Sequence, residues 1–298
     1  MRKILKVVAV AILMFLVVEL IGRYYGLTNF PLTIASKDFE YISKPNQDVR
    51  IYRNRFVTNE FSMRSEAISP TDTTVVLLLG DSVVNGGNSI DQDCLASSIL
   101  EKKLSVQLKR KVRVLNISAK TWSPDNNVAY LKRFGTFGAD MVVLVANSGD
   151  AFDPMTFQSV VGISPDHIDK NSDFAWAKII QKGLPNVTPS FRREDTIDKA
   201  PIAEGKPELI AGFARLRQLA NQLHVPFVVF MHQQMTELAA GKLEAGGVAI
   251  VDFCKSQQIQ VVQSNFRESS YQDVIHLNCE GQQELASTLQ PVIATQLD

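Results

Sequence analysis

The chain has 298 residues, 45% of them apolar, and carries 31 Lys and Arg against 31 Asp and Glu. That length suits one large α/β domain or two small ones, with a core that needs no help from disulfides. Zero formal net charge excludes the global basic field of a nucleic-acid binder. Fixed-period repeats and low-complexity tracts are absent.

The first 27 residues read as a membrane segment. Arg2, Lys3 and Lys6 precede an apolar run from Val7 to Val18, which resumes after Glu19 at Leu20 to Gly22. Tyr24 and Tyr25 follow, as interfacial aromatics do. Basic residues lie mostly before the run, which predicts a cytoplasmic N-terminus and an exported remainder. A retained signal anchor is expected. A cleaved signal peptide is the rival, but no A-x-A site or lipidated cysteine follows the run. Residues 28–72 read as a lead-in segment, with Pro31, Pro45 and Pro70 and several aromatics that need a surface to pack on.

From residue 73 the pattern is regular. Val75–Leu79, ended by Gly80, is a continuous β-prone run of the kind buried on both faces of a parallel sheet. A helix is predicted over 91–108, a strand over 112–117, a helix over 126–137 and a strand over 139–146. Residues 151–205 break the rhythm with five prolines and one helix-like piece near 174–182, and read as an insertion. Phe157, Phe174, Trp176 and Phe191 within it are expected to pack as a lid or to line a groove. A helix over 207–223, a strand over 225–231, a helix over 243–256, a strand over 259–262 and a last helix over 281–289 complete the domain, 73–298. Alternation of this kind implies βαβ units and helices on both faces of a parallel sheet. Its ligands belong beyond the C-terminal strand ends.

Two clusters sit where such chemistry is sought. Gly80-Asp81-Ser82 follows the first core strand directly, so the Ser82 hydroxyl stands at a strand end beside backbone N–H groups. Asp273 and His276 lie three apart just before the last helix, a spacing that lets a carboxylate hold one imidazole nitrogen while the other takes a serine proton. Other signals are weaker. His224 and His232 flank the fourth strand and are expected to be structural, and His167 to lie on the surface. Cys94, Cys254 and Cys279 form no zinc pattern and are expected as free thiols, with one disulfide at most. Asn186-Val187-Thr188 is a formal glycosylation sequon. No P-loop, dinucleotide fingerprint or G-x-S-x-G elbow is present.

Gly80-Asp81-Ser82, together with Asp273-x-x-His276 and the following Leu277, Asn278 and Gly281, resembles the first and last blocks of the SGNH hydrolases, also called the GDSL esterase/lipase family. The resemblance spans roughly residues 73 to 290. It implies a flavodoxin-like three-layer α/β/α sandwich on a five-stranded, mainly parallel sheet, here preceded by a transmembrane helix. It also implies ester hydrolysis without metal or cofactor. The family's second block reads N-x-G-x-S-G; here Asn116 to Thr121 puts Thr121 in the oxyanion glycine's place. Its third block reads G-x-N-D; here Asn147-Ser148-Gly149-Asp150 puts Gly149 where the asparagine belongs. The Ser82 and Thr121 N–H groups, with Asn147 reaching in from two residues earlier, are the expected oxyanion donors.

The expected protein is a membrane-anchored extracytoplasmic esterase that removes O-acyl groups, such as acetyl, from a cell-envelope or exported polysaccharide. Its partners are then an acyl ester or acylated glycan and, through the N-terminal helix, the membrane. An O-acetyltransferase with the same triad, or a catalytically weak glycan- or partner-binding domain of a polysaccharide export system, are the alternatives.

Overall fold

A computed structural model describes residues 1–69, 74–183, 208–263 and 266–298. The N-terminal stretch is one helix, α1 (Arg2–Tyr24), with Glu19 and Gly22 its only buried residues. At about 1.5 Å per residue it is roughly 34 Å long, enough to cross a bilayer's hydrocarbon core.

The lead-in folds into two antiparallel hairpins: β1 (Thr33–Ser36) with β2 (Glu40–Ser43), and β3 (Gln47–Ile51) with β4 (Asn54–Thr58). In the second, Ile51 pairs with Asn54 across Tyr52 and Arg53, whose φ values of 52° and 70° make a left-handed two-residue turn. Phe39, Tyr41, Ile42 and Met63 enter the main core, so this segment is a packed layer of the domain.

The remaining strands are β5 (Thr74–Gly80), β6 (Val112–Ser118), β7 (Met141–Asn147), β8 (Phe227–His232) and β9 (Gln260–Val262). They form one sheet in the order β6-β5-β7-β8-β9, with every pairing parallel. Counting from β5 the order is 2-1-3-4-5, the flavodoxin-like arrangement. Between them run α2 (Ser82–Asn85), α3 (Ala96–Gln107), α4 (Pro124–Phe134), α5 (Ala175–Gly183), α6 (Ala211–Leu223), α7 (Met235–Ala240), α8 (Ala245–Ser256) and α9 (Cys279–Leu297).

Side chains alternate across the sheet. Leu77, Leu79, Leu144 and Val229 pack with Tyr130 of α4, Phe213 of α6 and Ile250 of α8 on one face. Val76, Leu78, Val143 and Phe230 pack with Leu100 of α3 and Leu285 and Leu289 of α9 on the other. The layers are therefore α/β/α.

Several boundaries differ from expectation. The helix expected over 91–108 is broken by Leu95, extended at φ −65° and ψ 141°; a short 3-10 turn at Gln92–Cys94 precedes α3. The last helix runs on through Pro291 to Leu297 because Ile293 and Ala294 continue its buried stripe. The short helix α7 was not anticipated. Cys94 and Cys279 are not free thiols: they form a disulfide across 185 residues, and Cys254 alone is free and buried. The sequon at Asn186 and the aromatic Phe191 lie outside the described residues.

Candidate active site

The sheet presents Gly80, Ser118, Asn147 and His232 at the C-terminal ends of four neighbouring strands. Ser82 is the first residue of α2, one step beyond Asp81, whose carboxylate caps that helix by accepting from the Val83 N–H at 2.8 Å. The turn is tight enough to need Gly80: a Cβ there would come within 2.5 Å of Val84 and 3.1 Å of the Val145 carbonyl oxygen.

His276 reaches the serine from across the domain. Its Nε2 lies 2.9 Å from Ser82 Oγ, and its Nδ1 lies 2.7 Å from Asp273 Oδ2. A carboxylate only accepts, so Nδ1 carries the hydrogen and Nε2 faces the hydroxyl as acceptor. Burial pushes the Asp273 carboxyl up, but hydrogen bonds from the His276 and Ile275 N–H groups and from the imidazole outweigh it and hold the pKa below the ordinary value. Asp273 is therefore charged at neutral pH.

Buried amides fix the serine's footing. Asn116 Nδ2 donates to the Val84 carbonyl at 2.8 Å and Asn85 Nδ2 to the Ser118 carbonyl at 3.1 Å, lacing α2 to β6. Gln282 of α9 donates to the Val83 carbonyl at 2.7 Å and accepts from the Ala96 N–H at 2.9 Å. His232, expected only as a structural residue, holds the histidine loop: its Nε2–H donates to the Ile275 carbonyl at 2.7 Å. Burial lowers its pKa to about 4, so this ring is neutral. The disulfide joins the start of α9 to the turn before α3, three residues from His276.

A 2-1-3-4-5 parallel sheet with Gly-Asp-Ser after its first strand and an Asp-x-x-His pair before its last helix, joined in one hydrogen-bonded chain, decides the architecture. The fold is the flavodoxin-like three-layer α/β/α sandwich that the resemblance implies. No family model and no curated protein matches the chain. Solved structures similar to it include LAE5, an alpha/beta hydrolase enzyme from the metagenome of Lake Arreo, Spain, at 14% identity and TM-score 0.43, covering 76% of this chain and 98% of that one. The lipase/acylhydrolase of Enterococcus faecalis is similar at 11% identity and TM-score 0.44, over 75% and 96% of the two chains. A variant of Axe2, an acetyl-xylooligosaccharide esterase from Geobacillus, is similar at 12% identity and TM-score 0.41, over 75% and 95%.

Among the expected oxyanion donors, Asn147 departs from expectation. Asn147 does not offer its amide to the site. Its Oδ1 accepts from the Gly149 N–H at 2.8 Å, and its Nδ2 donates to Asp81 Oδ2 and Asp150 Oδ2, each at 3.1 Å. A buried amide finds its nearest acceptors, and here these are two carboxylates. Thr121 stands after β6 with φ 54°, the left-handed conformation that favours glycine. Tyr41 stabilises it there, its hydroxyl paired with Thr121 Oγ1 and 3.0 Å from the Lys120 carbonyl oxygen. No acceptor among the described residues meets the Thr121 N–H.

Asp81 and Asp150 share the Asn147 amide out of contact with bulk water. Burial pushes Asp81 up to about 6, and burial with the Asp81 charge raises Asp150 well above the ordinary range. A carboxyl whose pKa folding raises binds its proton more tightly when folded. Its contribution is complete below the unfolded value and is lost as pH rises through the folded one. Stability is therefore expected to fall between pH 4 and pH 7. Asp150→Asn keeps the shape and removes the like charge. It should raise the urea midpoint at pH 7 by the equivalent of about 1–3 kcal/mol and leave pH 4 nearly unchanged. Equal shifts at both pH values would contradict this.

A cavity of about 540 Å³ lies between the first hairpin and residues 162–168; Asn85, the last residue of the helix that Ser82 begins, is on its wall, while Ser82 and His276 do not line it. Tyr41, Phe56 and His167 line it. His167, expected at the surface, is buried with its ring 4.2 Å from that of Tyr41, and neither nitrogen has a partner among the described residues. Burial, with Lys120 nearby, lowers its pKa, so the ring is neutral. Among the described residues no group of three His, Cys, Asp or Glu side chains gathers as a metal site would.

Proposed function

We propose that the chain is an SGNH-type serine esterase, anchored to a membrane by α1 with its domain outside the cytoplasm, that removes O-acyl groups from a cell-envelope or exported polysaccharide. One observation carries the chemistry: the continuous contact from Asp273 through His276 to Ser82, at 2.7 and 2.9 Å.

In this reading Ser82 Oγ attacks the ester carbonyl carbon as His276 Nε2 takes its proton. Asp273 fixes the tautomer and stabilises the imidazolium. The Ser82 N–H, at the first position of α2 and without an acceptor among the described residues, and the Thr121 N–H receive the charge that develops on the carbonyl oxygen. Collapse expels the alcohol, which carries away the proton from Nε2 and leaves an acyl-serine. Water then gives a proton to Nε2 and its oxygen to the acyl carbon; the acyl–Oγ bond breaks, Nε2 returns that proton to Ser82 Oγ, and the carboxylic acid leaves. Asn147 acts one step removed, by holding Asp81, the cap of the helix that bears the nucleophile.

The Cys94–Cys279 disulfide supports an oxidising compartment, and α1 supports attachment to a membrane. A cavity of this size accommodates a sugar ring or a short acyl chain. Its mixed lining of aromatics, Asn88 and Lys120 suits a carbohydrate better than a long lipid.

The detergent-solubilised full chain should hydrolyse p-nitrophenyl acetate and release acetate from an O-acetylated polysaccharide, and Ser82→Ala should do neither. Added unacetylated glycan leaves the acetate yield unchanged for a hydrolase, whereas an O-acetyltransferase diverts the acetyl group to the glycan. Release no faster than with Ser82→Ala would contradict the esterase reading.

A further inference from the structure

A carboxylate inside a membrane helix is costly unless it has a partner, and Glu19 has three. It accepts from the Ala175 N–H at 2.8 Å, from the Trp176 N–H at 3.3 Å and from Arg23 Nε at 2.7 Å. Arg23 in turn donates to the Asp173 carbonyl at 2.6 Å. These contacts seat the N-terminus of α5, the helix of the insertion, against the last two turns of α1. The seat is close: at Gly22 an added Cβ would come within 2.5 Å of the Ala175 Cβ. Phe15 extends it, with its ring 5.5 Å from that of Trp176.

Depth follows from contact. At about 1.5 Å per residue Phe15 lies roughly 13 Å along the axis from Tyr24, and Glu19 roughly 7 Å. Half a hydrocarbon core is about 15 Å. If Tyr24 and Tyr25 sit at the headgroups, whatever touches Phe15, Glu19 and Gly22 sits in the outer leaflet. Phe174, just before α5, is 50% exposed and its ring lies 5.9 Å from that of Trp176; Ile179 of α5 is 41% exposed, beside an anchor whose own apolar side chains are exposed.

We propose that α5 is a membrane-interface helix, docked on the anchor by Glu19, with the acyl and headgroup boundary of the same bilayer covering Phe174, Trp176 and Ile179. Phe174 and Trp176 then serve the membrane and not a substrate groove. The domain is held against the bilayer at two points, α1 and α5, so the site stands at a fixed height above the lipid. The inference rests on α1 spanning a membrane and is independent of the catalytic reading.

The chain has two tryptophans, and Trp122 is buried in the domain core, so lipid-borne quenchers reach Trp176 alone. The full-length protein is reconstituted in phosphatidylcholine vesicles carrying bromine at a shallow acyl position, with unbrominated vesicles as reference. The emission lost to bromine is expected to vanish in Trp176→Phe. It should fall at least twofold in Glu19→Leu, which removes the docking carboxylate while making the anchor more apolar, and in Gly22→Val. A Tyr24→Trp reporter in the Trp176→Phe background tests the anchor itself. Quenching of that reporter with none of Trp176 would overturn the proposal and leave the anchor standing. Silence from both would overturn the anchor and the proposal together. Undiminished quenching in both docking variants would show that Glu19 does not seat α5, and would overturn the docking.

Discussion

Ser82→Ala is expected to lower kcat/KM for an acyl ester by about 10⁴-fold or more, and Asp273→Asn by a comparable factor, with neither change disturbing the fold. The two losses have different causes. Alanine removes the atom that forms the acyl bond. Asparagine leaves the geometry but presents an amide that satisfies the other imidazole tautomer, so Nε2 faces the serine already protonated. Stability should hardly move because the pair is open to solvent, with side-chain exposures of 34% for His276 and 52% for Asp273. A solvent-open hydrogen bond contributes about 1 kcal/mol. Melting temperatures within about 3 °C of the parent, with the rate loss intact, are the expected result. Unfolding in place of a rate loss would assign the residues a structural role instead.

Loss of the Cys94–Cys279 bond is expected to act the other way, on stability first. The bond closes a loop across 185 residues, and loops beyond 100 residues correspond to roughly 4–5 kcal/mol in the chain-entropy account, within a usual range of about 2–5. In a domain of this size each kcal/mol shifts the midpoint by about 2–4 °C. The double variant Cys94→Ser, Cys279→Ser should therefore melt about 8–20 °C lower, and dithiothreitol should do the same to the parent. Activity at low temperature should survive in part, because Gln282 still ties α9 to Val83 and Ala96. A double variant as stable as the parent, with no response to reductant, would contradict the disulfide.

The sheet was legible because its strands are buried on both faces. Val75–Leu79 and Met141–Ala146 are unbroken apolar runs, and no helix-period reading fits them as well. The serine and the Asp-x-x-His pair were legible because each adjoins a recognisable element boundary. The hairpins of the lead-in were not, since the turn at Tyr52 and Arg53 adopts left-handed backbone without the Asn or Gly that usually marks it. Residues whose role depends on a distant partner were hidden too. Asn147 follows a strand as an oxyanion donor would, yet two carboxylates remote in sequence or across a turn take its amide. Glu19 reads as an interruption in an apolar run until the N-terminus of α5 arrives to meet it. Cys94 and Cys279 carry no local sign of their pairing, because only the packing of α9 beside the turn before α3 brings them together.

The most direct test of the central claim is covalent. A fluorophosphonate reacts with a serine hydroxyl that a neighbouring base has activated and that donors can stabilise as an oxyanion. Incubated with the folded full-length chain, it should leave one adduct, located by mass spectrometry on Ser82. The adduct should be absent in Ser82→Ala and should form far more slowly in His276→Ala. A folded protein that takes up no probe, or takes it at another serine, would contradict the account and favour a domain that binds glycan or an export partner without turning it over.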